Sequence, residues 1–187
     1  MLNVSKLNLP KGLAFLADLP RTKMLEEMFK LYGVTETPGE RDNPTILNWA
    51  ETLGIKDYKH DSTAWCGLVM AFVAKQAGKP DLENPLWALN WRSWGKQSLI
   101  PKWGDILVFR RPLPEGGIAG HVGLYLAESE KFFYVLGGNT SDKVGIAKID
   151  KTRLAAARNS YNVVPDFVKT ISVLDKDVNL KLSTNEA

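Results

Sequence analysis

The stretch Asp61-Ser62-Thr63-Ala64-Trp65-Cys66-Gly67-Leu68-Val69-Met70-Ala71-Phe72-Val73-Ala74-Lys75-Gln76-Ala77-Gly78 decides how this chain folds. Trp65, Leu68, Val69, Phe72 and Val73 recur at helical spacing, and Met70 and Ala74 carry apolar surface beyond a single stripe. The helix predicted over 64–77 is therefore buried on most sides. Gly78 and Pro80 stop it. Cys66 falls in its first turn, just after Ser62-Thr63, which read as the cap. Unpaired N–H groups and the positive end of the helix dipole favour a thiolate there. On position alone a small buried core residue is an equal reading of the same cysteine.

Upstream, the pattern predicts two more helices. Residues 20–32 place Leu25, Met28, Phe29 and Tyr32 on one face, with Thr22 as cap and Gly33 as stop. The loop 35–43 is rich in turn formers, and 44–53 forms the next helix, closed by Gly54. Residues 81–103 read as loop and short helix dense with tryptophan. The period then changes to two. Ile106-Leu107-Val108-Phe109 is a strand, and 121–127 and 132–136 are two more, joined by the polar turn 128–131. Helices first and an antiparallel meander second make an α+β domain. The end, from 179, is polar and reads as frayed.

Composition narrows the chemistry. The chain has 187 residues, 44% hydrophobic and 24% charged, enough for a core without staples. Lys and Arg number 24 against 21 Asp and Glu, a net +3 too mild for a nucleic-acid binder. No apolar run spans a membrane, and 1–23 lacks the form of a signal peptide, so synthesis and retention in a cytoplasm are expected. One cysteine excludes an intrachain disulfide, and two histidines leave little for a metal cage. Thiol or imidazole chemistry must pass through Cys66, His60 or His121.

His121 opens a strand after the loop Gly116-Gly117-Ile118-Ala119-Gly120. A thiolate nucleophile needs a base, and the base an orienting partner. A hairpin centred near position 130 sets His121 opposite Asn139, on one face, whereas a slip of one residue brings Gly138 there instead. Gly137-Gly138 leaves room for an imidazole and a substrate. An Asn carbonyl accepting from one ring nitrogen would turn the other towards sulfur. His60, in a polar stretch, reads as solvated or loop-supporting. Zinc on His60, Cys66 and His121 lacks a ligand spacing. The tryptophans 87, 91 and 94 read as core rather than as a sugar platform. Trp65, beside Cys66, and Trp103, just before the strand 106–109, are the exceptions. Glu36, Glu40 and Asp42 are open both to binding substrate amines and to a solvated loop.

The blocks DSTAWCGLVMAFVAKQAG, PKWGDILVF, GHVGLYL and YVLGGNTSD, in this order, resemble the papain-like cysteine hydrolases of the NlpC and CHAP type. They are similar in particular to a single-domain branch found in phage endolysins and bacterial cell-wall hydrolases. The stretch GVTETPGERDNPTILNWAETLG resembles the element that precedes the cysteine there, so the likeness runs from Gly33 to Arg158.

The resemblance implies a papain-like α+β fold in which N-terminal helices, including the buried catalytic one, pack on an antiparallel sheet. The expected parts are an N-terminal helical extension over 1–32, the hydrolase domain over 33–170 and a tail over 171–187. It implies Cys66 as nucleophile, His121 as general base and Asn139 as the residue orienting the imidazole. Trp65, Asp61, Trp103 and Gly138 are the expected substrate contacts. Asp61 departs from the polar residues that related groups carry before the cysteine, and the second oxyanion donor is sought near Ser62 and Thr63. The implied activity is cleavage of an amide bond in the peptide part of peptidoglycan, as amidase or endopeptidase. No cofactor or metal is expected. The expected partner is the peptidoglycan substrate, met by a monomer without nucleic acid or membrane insertion. Release from the host cytoplasm would need a holin-type partner. The alternatives are a zinc-dependent amidase, a non-catalytic wall-binding module and a papain-like acyltransferase or deamidating toxin.

Overall fold

A helix apolar on nearly every side must be covered on nearly every side, and this requirement organises the molecule. The computed structural model describes residues 7–113 and 116–184. Helices α1 (Lys23–Lys30) and α2 (Pro44–Thr52) pack against α3 (Cys66–Gln76), and a sheet covers the other side. Thr22 caps α1 by accepting from the Leu25 N–H, and Gly33 ends that segment at φ +88°. Asn43 caps α2, with Pro44 in its first turn. Trp49 of α2 stacks on Phe72 of α3 and meets Trp65 at a tilt, ring centroids 5.8 Å apart in both cases.

The start of α3 differs from its sequence reading. Trp65, not Ser62 or Thr63, is the N-cap residue, and no side chain caps the helix. Ser62 and Thr63 are exposed; the Thr63 N–H bonds to the His60 carbonyl, and the Thr63 carbonyl accepts from Tyr58.

The sheet holds six antiparallel strands in the order β1-β6-β2-β3-β4-β5. They are β1 (Lys96–Gln97), β2 (Ile106–Pro112), β3 (Ile118–Glu128), β4 (Phe132–Gly137), β5 (Gly145–Asp150) and β6 (Leu154–Asn159). The fold is mixed α+β. Both faces of the sheet are buried. Ile106, Val108, Val122, Leu124 and Leu136 meet the helices, while Leu107, Phe109, Tyr125, Phe133 and Val135 form a second cluster on the other face. The strand runs are therefore continuously apolar rather than alternating.

The segments on either side of the expected hydrolase domain are built into the same core. Leu9, Leu13, Leu16, Met24 and Leu25 lie in the helix-side cluster, and so does Val178. The tail beyond 170 is tied to the sheet by bridges from Glu128 to Ser172 and from Lys148 to Leu182. Tyr134 donates to Asp175 at 2.6 Å, and Lys148 pairs with the same carboxylate. Leu180 packs on the core and the Ser183 N–H bonds to the Lys148 carbonyl, so the stretch from 179, read as frayed, is docked as far as Ser183. Residues 185–187 lie outside the described chain. Among the described residues no helix is long and apolar enough to cross a membrane.

Asp105, at the entry to β2, is buried, and its carboxylate accepts from Ser98 Oγ at 2.6 Å and the Lys102 N–H at 3.0 Å. Burial pushes its pKa up to about 6, against the two hydrogen bonds. The folded state therefore favours the protonated acid. That contribution is whole below the unfolded carboxylate pKa and is lost as pH rises through about 6. Relative to Asp105→Asn, which does not titrate, wild-type stability should fall by about 2 kcal/mol between pH 4 and 6.5. Urea unfolding of both proteins at the two pH values measures this, and parallel curves would refute it.

Candidate active site

Cys66 is the first residue of α3, so it sits where the backbone N–H groups of the first turn have no helical acceptor. Its side chain is buried in the wall of a cavity of about 360 Å³. Thr63, Ala64 and Cys66 form one side of the cavity, Trp87 and Ala88 another, and Arg111, Ala119 and Gly120 the third. Ala119 and Gly120 of that third wall lie on β3 and lead directly into His121. The cysteine block and the Gly-His block, 54 positions apart by their numbers, thus share one cavity.

Two glycines bring the walls together. A Cβ on Gly67 would stand 2.2 Å from the Pro85 carbonyl oxygen, so only glycine lets the 85–86 backbone lie against the first turn of α3. A Cβ on Gly120 would stand 2.7 Å from Leu89 and 3.1 Å from Ala88. The segment carrying Trp87 is therefore seated between α3 and β3.

His121 is fully buried and stands directly across from Phe109 in the unbroken β2–β3 ladder. The pleat aligns it with Phe109 and Tyr125, while Val122 and Leu124 turn to α3. His121 Nε2 lies 3.5 Å from where a Cβ on Gly137 would stand, and Gly123 faces Gly137 across the ladder. Glycine thus clears the space around the ring.

The β3–β4 register matches the expected one at this end, with Leu124 opposite Leu136 and Tyr125 opposite Val135. A bulge between Tyr125 and Ala127 shifts it nearer the turn, and β4 ends at Gly137, two residues before Asn139. Asn139 instead begins a turn in the left-handed region, φ 56°, followed by Ser141 and Asp142 at φ 50° and 58°. Three such non-glycine residues in four positions store backbone strain, which tertiary contacts must offset. The Glu36 N–H on the Asp142 carbonyl and the bridge between Thr35 and Lys143 supply some of these contacts. Asn139 Oδ1 and Thr140 Oγ1 are buried and bonded to no described residue.

The four expected substrate contacts are placed differently. Trp65 is completely buried, and its indole N–H donates to Glu36 Oε1 at 2.6 Å. Burial raises the Glu36 pKa, partly countered by that bond. Trp103 is buried and donates to the Pro20 carbonyl at 2.8 Å, fastening the N-terminal segment. Both are scaffold, a correction to their reading as substrate contacts. A Cβ on Gly138 would stand 2.5 Å from Val69 and 2.6 Å from the Trp65 ring, so Gly138 permits the turn to press on α3. Asp61 is buried, and its Oδ2 accepts from the Thr37 N–H at 3.0 Å and the Asn43 N–H at 2.7 Å. It holds loop 35–43 against the approach to Cys66. Asp61→Ala strands two N–H donors and should cost about 2–4 kcal/mol, read by urea unfolding, with faster proteolysis within 35–43.

Asp42 is likewise used internally: it accepts from the Asp61 N–H and lies 3.2 Å from His60 Nδ1. The His60 side chain is otherwise exposed, as its loop-supporting reading expects. Sequence reasoning missed Trp87. Its sequence context reads as core, yet it is 65% exposed at the Cys66 cavity. A run of tryptophans in a loop carries no signal that separates the one turned outwards. Among the described residues no group of three or more His, Cys, Asp and Glu side chains is placed to hold a metal ion.

An α+β fold with a lone cysteine opening a buried helix, beside a glycine-flanked histidine strand, is the class these features define. Compared with family profiles, curated proteins and solved structures, the chain matches none of them.

Proposed function

We propose that this protein is a papain-like cysteine hydrolase that cleaves an amide bond in the peptide part of peptidoglycan. The observation that carries the reading is the cavity in which Cys66, at the start of α3, faces the Ala119–Gly120 backbone leading into His121. In the proposed mechanism His121 takes the thiol proton and Cys66 Sγ attacks the scissile carbonyl carbon. The leaving amine receives that proton as the thioester forms, and water then releases the acid. The backbone N–H groups at the start of α3 are the natural donors to the tetrahedral oxyanion. Asn139 Oδ1, buried without a described donor, is the proposed acceptor for a ring N–H of His121. An enzyme of this kind made inside a cell reaches the wall through a holin-type partner.

The test is digestion of purified peptidoglycan by wild type and Cys66→Ala, with mass analysis of the fragments. Free muramyl groups with intact stems identify an amidase, and shortened or uncrosslinked stems an endopeptidase. Loss of activity to a chelator, with thiol blockade acting only through a lost ligand, would identify the zinc amidase instead.

A further inference from the structure

Trp87 is the exposed member of a set of six tryptophans whose other five are buried. Buried indoles need an internal acceptor for their N–H. Trp65, Trp91, Trp94 and Trp103 donate to Glu36, Pro85, Pro80 and Pro20 respectively. No described residue accepts from Trp87. Its ring is nonetheless not on a wandering loop. The Pro85 carbonyl is held by the Trp91 indole at 3.0 Å, and the 85–86 backbone lies on Gly67. Ala88, the next residue, is buried against Gly120.

A large flat apolar surface, with one free donor at its edge, is thus fixed beside the sulfur. No other described residue lining this cavity is aromatic, so only Trp87 offers such a face there.

We infer that Trp87 forms a sugar-binding subsite next to Cys66, taking the N-acetylated amino sugar to which a substrate peptide is attached. A pyranose presents an apolar C–H face of about the size of the indole six-membered ring. Its rim of hydroxyl and acetamido groups offers acceptors to the indole N–H. A stem of small amino acids would leave the ring uncovered. The inference rests on the hydrolase reading for its substrate, and makes the preferred substrate a glycan-linked peptide rather than a bare stem.

The test uses full-length Cys66→Ala protein, which binds without turnover, with a disaccharide-peptide and the same peptide lacking sugar. Iodide quenching of tryptophan fluorescence reports chiefly on the exposed Trp87, so the disaccharide-peptide should protect against it. Adding Trp87→Ala should weaken disaccharide-peptide binding about ten-fold or more while leaving the bare peptide unchanged, and Trp87→Phe should restore most of the loss. No protection, or an equal loss for both ligands, overturns the subsite. Wild-type digestion of peptidoglycan separates the two ideas. Digestion without sugar protection removes the subsite alone, and sugar protection without digestion removes the hydrolase reading while the subsite stands.

Discussion

Cys66→Ala should reduce the release of peptide fragments from purified peptidoglycan by about a thousand-fold or more, to the level of a no-enzyme control. The chain has one cysteine, so no second thiol can substitute. The replacement is small to small within a packed wall, and its stability cost should stay near 1 kcal/mol. An unchanged far-UV spectrum and urea midpoint within that range would show that activity, not folding, was lost. Residual wall solubilisation at wild-type rates would remove Cys66 from the mechanism. A wild type that releases nothing would remove the hydrolase reading altogether. His121→Ala is less clean, because His121 is fully buried between strands and its loss leaves a cavity in the sheet.

The second large effect is expected at Gly67. Alanine ordinarily gains up to about 1 kcal/mol over glycine within a helix, and less in the first turn, where Gly67 lies. Here the new methyl would meet the Pro85 carbonyl oxygen at 2.2 Å and the Leu86 carbonyl oxygen at 2.7 Å, both backbone atoms. The 85–87 segment must move away, taking with it the acceptor of the Trp91 indole and the wall of the Cys66 cavity. Steric displacement outweighs propensity, and Gly67→Ala should cost about 3 kcal/mol net. Gly145→Ala is the control. It has no backbone clash and only the flexible Lys143 side chain at 3.4 Å, so its cost should stay below about 1 kcal/mol. Urea unfolding of both variants tests the contrast. If Gly67→Ala proves neutral, the close seating of the 85–86 backbone on α3 is wrong.

These two residues also show why parts of the site were legible and parts were not. The sequence alone determined that α3 is buried, because apolar side chains around most of a helix have no other low-energy destination. It determined that thiol chemistry, if present, uses Cys66, because composition left no alternative. The β3–β4 register near the site followed from the position of the polar turn, since pairing of a short hairpin is set locally. Strands β5 and β6 were not foreseen. β6 begins Leu154-Ala155-Ala156-Ala157, whose alanines carry little strand preference and are paired only because β2 presents an open edge.

The tertiary structure alone decided which residues meet at the cavity. The resemblance implies Asp61 as a substrate contact, but its carboxylate is claimed by the N–H groups of residues 37 and 43. Trp65, Trp87 and Trp103 are chemically identical side chains, and local sequence carries no information about which surface will cover each. Two found internal acceptors and complete burial, and Trp87 found neither. Burial and hydrogen bonding depend on partners tens of residues away, so they are properties of the assembled fold rather than of any local run of sequence.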